Sequence, residues 1–425
     1  MLKNLIILLY IPLVLNAYTM SELFDALKEN PNTKLDELEV ERTQINNEKV
    51  YANLYPKVDL YAVYNHYSEP TGMLPVAPNE LIVMVKDSNI AQPFGTDIYR
   101  GSASFNMPLF VKSIYTLVDK TKMLSKSSRE NKKINKIQNE ALLVGTNANL
   151  QYLEALEKSL ISKQYSLNET YKFVKIKVNN GRGAESELYK IQDALNNVKI
   201  SLNNINITKQ KAYATVEALT SIRINKAINM KQIATYKIGS FKVLEPLKLK
   251  SLALEYGLKA QKEKLYWPSL SANGSYTRSN TNAYNNTKNI TEDYSHVGVI
   301  LSIPLFNMQN YSAVDEAKIE AMKVKTQLEK ESVSLKAQTS SLQNSLKLIE
   351  NSVLLYKKSV KNKQKLLNIA KVSFKNTRMN MEEYLRYEDE VVAQEAKLYE
   401  SYMLKWQILM KLAVIYANNI EEIVR

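Results

Sequence analysis

The stretch Phe105-Asn106-Met107-Pro108-Leu109-Phe110 is written again 196 positions later as Leu301-Ser302-Ile303-Pro304-Leu305-Phe306. With the offset unchanged, Asn180-Gly181-Arg182-Gly183 falls on Asn376-Thr377-Arg378-Met379, and Glu187-Leu188-Tyr189-Lys190 falls on Glu383-Tyr384-Leu385-Arg386. No insertion separates these landmarks in either copy. Upstream, Leu54-Tyr55-Pro56 matches Tyr266-Trp267-Pro268 at an offset of 212, so the first copy carries sixteen extra residues between its two prolines. Each match is short. Their shared order identifies an internal duplication, and the segment of variable length is a loop.

Between each proline pair the pattern has period two. Val58, Leu60, Ala62 and Tyr64 alternate with Asp59, Tyr61, Val63 and Asn65; Tyr99, Gly101, Ala103, Phe105 and Met107 alternate with Arg100, Ser102, Ser104 and Asn106. In the second copy Leu270, Ala272, Gly274 and Tyr276 alternate with Ser271, Asn273, Ser275 and Thr277. Val297, Val299, Leu301 and Ile303 do so with Gly298, Ile300 and Ser302. Strands are predicted at about 57–67, 98–107, 269–278 and 295–303, each with an apolar and a mostly polar face, as in a membrane barrel. The other reading of this pattern is a half-buried soluble hairpin packed on helices. Ser68–Gln92, with Pro70, Gly72, Pro75 and Pro78, closes the first hairpin, and an Asn- and Thr-rich loop around Asn280–Asp293 closes the second.

Outside the strands the chain has little alternative to helix. No proline lies between Pro108 and Pro246, and neither proline nor glycine follows Pro304. Leu153, Leu156, Leu160, Leu167, Tyr171, Val174 and Val178 keep steps of three, four or seven, as do Leu342, Leu346, Ile349, Val353, Tyr356, Val360 and Leu367. This is the narrow seam of a coiled coil. Long helices are predicted at about 109–178 and 305–376, with return helices from about 184 and 380. The 72 residues from Pro108 to Asn180 would reach roughly 108 Å, longer than a compact domain is wide. The organisation expected is therefore a first repeat over 18–223 and a second over 246–425, with 224–245 left between them.

The bulk composition narrows the function. Met1, Lys3, the apolar run Leu5–Leu15 and Asn16-Ala17 read as a removed export signal over 1–17, too short to span a membrane comfortably. No later run of eighteen apolar residues occurs. With no cysteine and only His66 and His296, thiol chemistry and histidine metal centres are excluded; no metal or cofactor is expected. No phosphate loop or nucleophile–base set is present, so the chain does not read as an enzyme. The net charge of +14 comes mainly from lysines spaced along helical faces, and an exported chain meets no nucleic acid.

Four strands cannot close a barrel, and an open sheet in lipid would leave both edges unpaired at several kcal/mol per group. The chain must therefore oligomerise. Two copies give eight strands, a barrel filled by side chains; a usable pore favours three or more.

The export signal, the Tyr55-Pro56 and Trp267-Pro268 joints, and the Pro108 and Pro304 joints together resemble the outer-membrane efflux protein family, the TolC-like channels. So do the turn motifs Arg182–Leu188 and Arg378–Leu385, and the resemblance covers essentially the whole mature chain. It implies a mainly α fold with a membrane β-barrel contribution. A homotrimer would carry a twelve-stranded barrel in the outer membrane of a Gram-negative bacterium, in contact with its lipid, above an α-helical barrel in the periplasm. It implies as partners a periplasmic adaptor and an inner-membrane pump, and as activity passive export through a tripartite efflux pump or a type I secretion system. Transferred by position, the periplasmic gate candidates are Arg182, Glu187, Arg378, Glu382, Glu383 and Arg386. The arginines would latch carboxylates on a neighbouring helix, whereas Lys190 and Arg386 stand where some relatives carry a second acidic ring. The other reading of these charges is helix capping and solvation. A pore-less periplasmic adaptor or structural coiled coil is the alternative function; it would carry one helical hairpin, not two.

Overall fold

The computed structural model describes residues 18–425 except positions 78, 80, 81, 84, 85 and 88; the expected export signal lies outside the described residues. In chain order the elements are α1 (Met20–Lys28), α2 (Pro31–Tyr51), β1 (Lys57–Gly72), β2 (Phe94–Val111), α3 (Lys112–Asn179), α4 (Glu185–Thr220), α5 (Glu245–Tyr266), β3 (Ser269–Asn282), β4 (Asn289–Ser302), α6 (Met308–Lys375) and α7 (Met381–Ile415). Two compact units result, each drawing on both copies: Val40–Ser128 with Pro246–Leu328, and the chain up to Glu39 with Arg129–Glu245 and Glu329–Arg425. Among the described residues no helix is long and apolar enough to cross a membrane.

The first unit contains one antiparallel sheet in the order β1-β2-β3-β4. Register puts Leu60 beside Ala103, Ala103 beside Tyr276, and Ala272 beside Val299, so the apolar residues of all four strands share one face. That face is open to its surroundings: Leu60 is 82 % and Val297 79 % exposed. Ser102, Ser104, Ser275 and Thr277 line the other face, where the Ser102 and Thr277 hydroxyls lie 2.5 Å apart. Aromatic side chains border the apolar face: Tyr64 and Tyr99 at one level, with centroids 4.9 Å apart, and Phe110 and Trp267 at the other, 6.2 Å apart. Along β2, Tyr99 to Phe110 is about 36 Å of strand, or ~28 Å across a bilayer at the usual barrel tilt. Gly274 is required where it stands, because a Cβ there would lie 2.5 Å from the Phe105 ring.

The strands run further than the alternation predicted, and Pro108 is not the start of a helix. It lies within β2, paired with Ser271 next to a bulge, and α3 begins only at Lys112. The physical reason is position. β1 pairs no further along β2 than Asn106, so the N–H that proline lacks has no partner to lose on that side. Likewise α6 starts at Met308 rather than 305, with Pro304 in the short link after β4. Pro56 and Pro268 do stand at the expected helix-to-strand joints. Alternation marks only where one face is apolar; beyond it, backbone hydrogen bonding carries β1 to Gly72 and β3 to Asn282.

The second unit is helical. α3 and α6 are both 68 residues long, and α4 and α7 return beside them. Its main core joins α1 (Leu23, Phe24, Leu27), α3 (Leu143, Leu150), α4 (Val216) and α7 (Leu409, Leu412). Thr19 and Glu22 form a reciprocal capping box that fixes where α1 starts. The connecting segment is irregular but anchored. Asn147 donates to the Ile228 carbonyl and accepts from its N–H, both within 2.8 Å, while Lys231 and Ile233 pair by backbone with Arg425 and Ile423.

One carboxylate in this unit is costly. Glu140 is 1 % exposed, its nearest cation Lys136 is 3.4 Å away, and Oε1 accepts no hydrogen bond. Burial raises its pKa, with Lys136 and Lys28 pulling it back and Glu421 adding to the rise. A carboxyl raised in the fold contributes stability at pH below its unfolded value and loses it as pH rises through the folded one. Replacement by glutamine is therefore expected to stabilise the fold at pH 8 by about 1 kcal/mol, read as a higher melting temperature, and to give no gain near pH 4. An equal gain at both pH values would exclude the burial penalty as the cause.

Candidate gate at the helical tip

The two long helices end in the same turn. In the first copy Arg182 N–H reaches the Lys177 carbonyl at 2.8 Å and Gly181 takes φ +71°. At the equivalent place in the second, Arg378 N–H reaches the Ser373 carbonyl at 2.9 Å and Thr377 takes φ +57°. Glycine accepts the left-handed region freely, whereas a β-branched residue there costs roughly 1–2 kcal/mol. Thr377→Gly relieves that strain, less the ~0.5–1 kcal/mol that glycine adds to unfolded-chain entropy. Amides in the last turn of α6 should exchange several-fold more slowly in the variant. Faster exchange would mean that the Thr377 hydroxyl, bonded to the Asn376 carbonyl at 2.7 Å, outweighs the strain.

The return helices begin differently. Asn380 caps α7 by accepting from the Glu383 N–H at 2.8 Å; Ala184 at the matching position has no side-chain cap. Glu187, Glu382 and Glu383 all lie in first turns, where a carboxylate favours the helix dipole. Of the candidates read from sequence, Glu382 meets Lys190 at 3.0 Å and so ties α7 to α4. Arg386 reaches Glu390 on its own helix at 3.9 Å. The side chains of Arg182, Glu187, Arg378 and Glu383 meet no ionic or hydrogen-bonding partner among the described residues, and both arginines are exposed. A single chain therefore presents the arginines outward.

The sequence reading missed a buried polar seam behind the tip. On α7, Glu388 is only 3 % exposed, yet one of its oxygens accepts from Tyr384 OH and from Ser166 Oγ of α3, each at 2.5 Å. Ser166 and Tyr384 hydroxyls are 3.1 Å apart, and the Tyr384 ring stacks on Phe374 at 5.0 Å. Burial, then the Glu388 charge, pushes the Tyr384 hydroxyl up to about 12, so it remains a donor throughout the physiological range. One heptad away along both helices, in opposite directions, Ser159 donates to Glu395; between the rungs Lys163 meets Asp389. Three polar rungs thus fasten α3 of the first copy to α7 of the second. A sequence signal existed: Ser159 and Ser166 are seven apart, as are Glu388 and Glu395, beside the apolar seam of Leu160 and Leu167.

Two strand hairpins alternating with two long helical hairpins, duplicated to the residue at the tips, define the fold of the TolC-like outer-membrane channels. This chain resembles the CmeC outer membrane channel of Campylobacter jejuni with a TM-score of 0.79 at 16 % identity, over 94 % of this chain and 85 % of that one. It resembles the outer membrane protein VceC of Vibrio cholerae at 0.75 and 12 %, over 94 % and 95 %. The open-state MtrE outer membrane channel of Neisseria gonorrhoeae gives 0.75 and 13 %, over 95 % and 90 %. No family model and no curated protein matches the sequence. At these identities the likeness lies in the fold.

Proposed function

We propose that three copies of this chain form an outer-membrane exit duct, serving a tripartite efflux pump or a type I secretion system through a periplasmic adaptor and an inner-membrane pump. The observation that carries this is the sheet. β1 and β4 have no further strand partner among the described residues, and the apolar face they share is exposed. In lipid such a sheet closes only by joining β1 of one copy to β4 of the next, and twelve strands enclose a lumen that the Ser- and Thr-rich face would line. Transport is passive and selectivity belongs to the pump. The fold of the three channels named above supports the same reading. The pore-less adaptor reading leaves the exposed apolar strands without a purpose.

The closed state of the duct is held at the tip by two sets of contacts. Within a chain these are the Ser166–Glu388 seam and the Lys190–Glu382 pair; between chains they are the outward arginines Arg182 and Arg378 with carboxylates of the neighbouring copy. Purified protein in mild detergent should be trimeric and should insert pores into planar bilayers, and Arg378→Ala or Glu383→Ala should raise single-channel conductance. A monodisperse monomer without pores would refute the duct. A porous trimer with unchanged conductance in both variants would refute only the tip assignment.

A further inference from the structure

Where α3, α4, α6 and α7 meet the end of the connecting segment, the helical unit contains an open cavity of about 790 Å³. That is the size of a small-molecule pocket. Leu142, Leu335, Met403, Met410 and Val414 give it an apolar wall. Lys211 and Lys411 also line it, and no aspartate or glutamate does. Neither of these lysines has an ion-pair partner among the described residues, in contrast to Lys163, Lys209, Lys363 and Lys405 of the same unit. Asn149, Gln338 and Gln407 line the same space, and their carboxamides have no protein partner among the described residues.

A second observation concerns Gly145, the only glycine within α3, which lines the cavity. Glycine in a helix interior lowers stability relative to alanine, and the usual justification is close packing. Here a Cβ would meet nothing within 4 Å. No atom of this chain requires the glycine; what it provides is room.

We propose that this cavity binds a single-tailed amphipathic anion, a long-chain carboxylate or alkyl sulfate, with its tail against Leu142, Met403 and Met410 and its head between Lys211 and Lys411. Apolar floor, unpaired ammonium groups, open amides and the absence of any carboxylate are together complementary to that chemistry and to neither a cation nor a neutral sugar. Bound there, the ligand would bridge helices of both repeats.

The test uses the full chain in its native oligomeric state in amphipol, titrated with dansyl-undecanoate and displaced by dodecanoate or by dodecanol. Saturable binding of one probe per chain is expected. Lys211→Glu with Lys411→Glu should weaken dodecanoate at least tenfold while leaving dodecanol within twofold, and Gly145→Leu should weaken both. Non-saturable binding to the wild type would overturn the proposal, as would unchanged dodecanoate affinity in the double variant. Particle mass is measured alongside. If Gly145→Leu disperses the oligomer, the space is filled by a neighbouring copy and the proposal also fails. None of these outcomes bears on whether the oligomer forms pores.

Discussion

Pores made from a Ser166→Ala/Tyr384→Phe double variant are expected to leak. The two substitutions remove both hydroxyls that donate to Glu388 and leave its carboxylate 3 % exposed with no donor in place. Hydrogen bonds to a charged group contribute about 1.5–3 kcal/mol each, and stranding a buried charge costs about 3–5 kcal/mol. A net loss of ~3 kcal/mol from the closed arrangement corresponds to a shift of roughly 150-fold in the open-to-closed ratio. Single-channel recording reads this directly, as longer open times and higher mean conductance. Glu388→Met is the informative control: an apolar side chain of similar length removes the charge together with its need for donors, and should leave the closed state within about 1 kcal/mol of the parent. If the double variant closes as well as the parent, the seam does not hold the tip.

The second large effect belongs to the sheet. Val297→Arg sets a guanidinium on the exposed apolar face, beside Gly274 and near the middle of the band between the aromatic borders. At the midplane of a bilayer this costs about 2–4 kcal/mol per chain, three times over in a trimer, and the variant is expected to be lost from the outer-membrane fraction. Ser275→Arg, on the polar face opposite His296, changes the same charge without meeting lipid. It should assemble normally and alter ion selectivity. Equal recovery of both variants from membranes would mean that the apolar face is not turned to lipid.

How much of this was legible in the residues depends on which force fixes each feature. The duplication, the strand pairs and the long helices were readable because each is fixed by local pattern: period two in Val58–Tyr64, heptads in Leu153–Val178, and the paired turns at Gly181 and Thr377. Strand ends were not, because β1 beyond Tyr67 and β2 at Pro108 are held by a partner's backbone, which leaves no trace in side-chain order. At the tip, sequence picked out the charged residues of the turn motif. The structure adds hydroxyls to these charges: Ser159 and Ser166 look like ordinary helix-surface serines until α7 brings Glu395 and Glu388 against them. Charge is conspicuous in a sequence, whereas a buried hydroxyl becomes visible only with its partner.

The matched length of α3 and α6 restricts how such a chain can be re-engineered or drift. Deleting a single residue from one arm would turn everything beyond it by about 100° around the helix axis, swinging Ser166 away from Glu388 and leaving one turn 1.5 Å short of its twin. Removing seven from one arm restores the facing but leaves the tips out of step by ~10 Å. Only cuts or additions of whole heptads, made together in both outgoing and both returning rods, preserve the rungs and keep the tips level. Shorter or longer versions of this protein should therefore differ in quanta of twenty-eight residues per chain, about 10 Å of reach at a time.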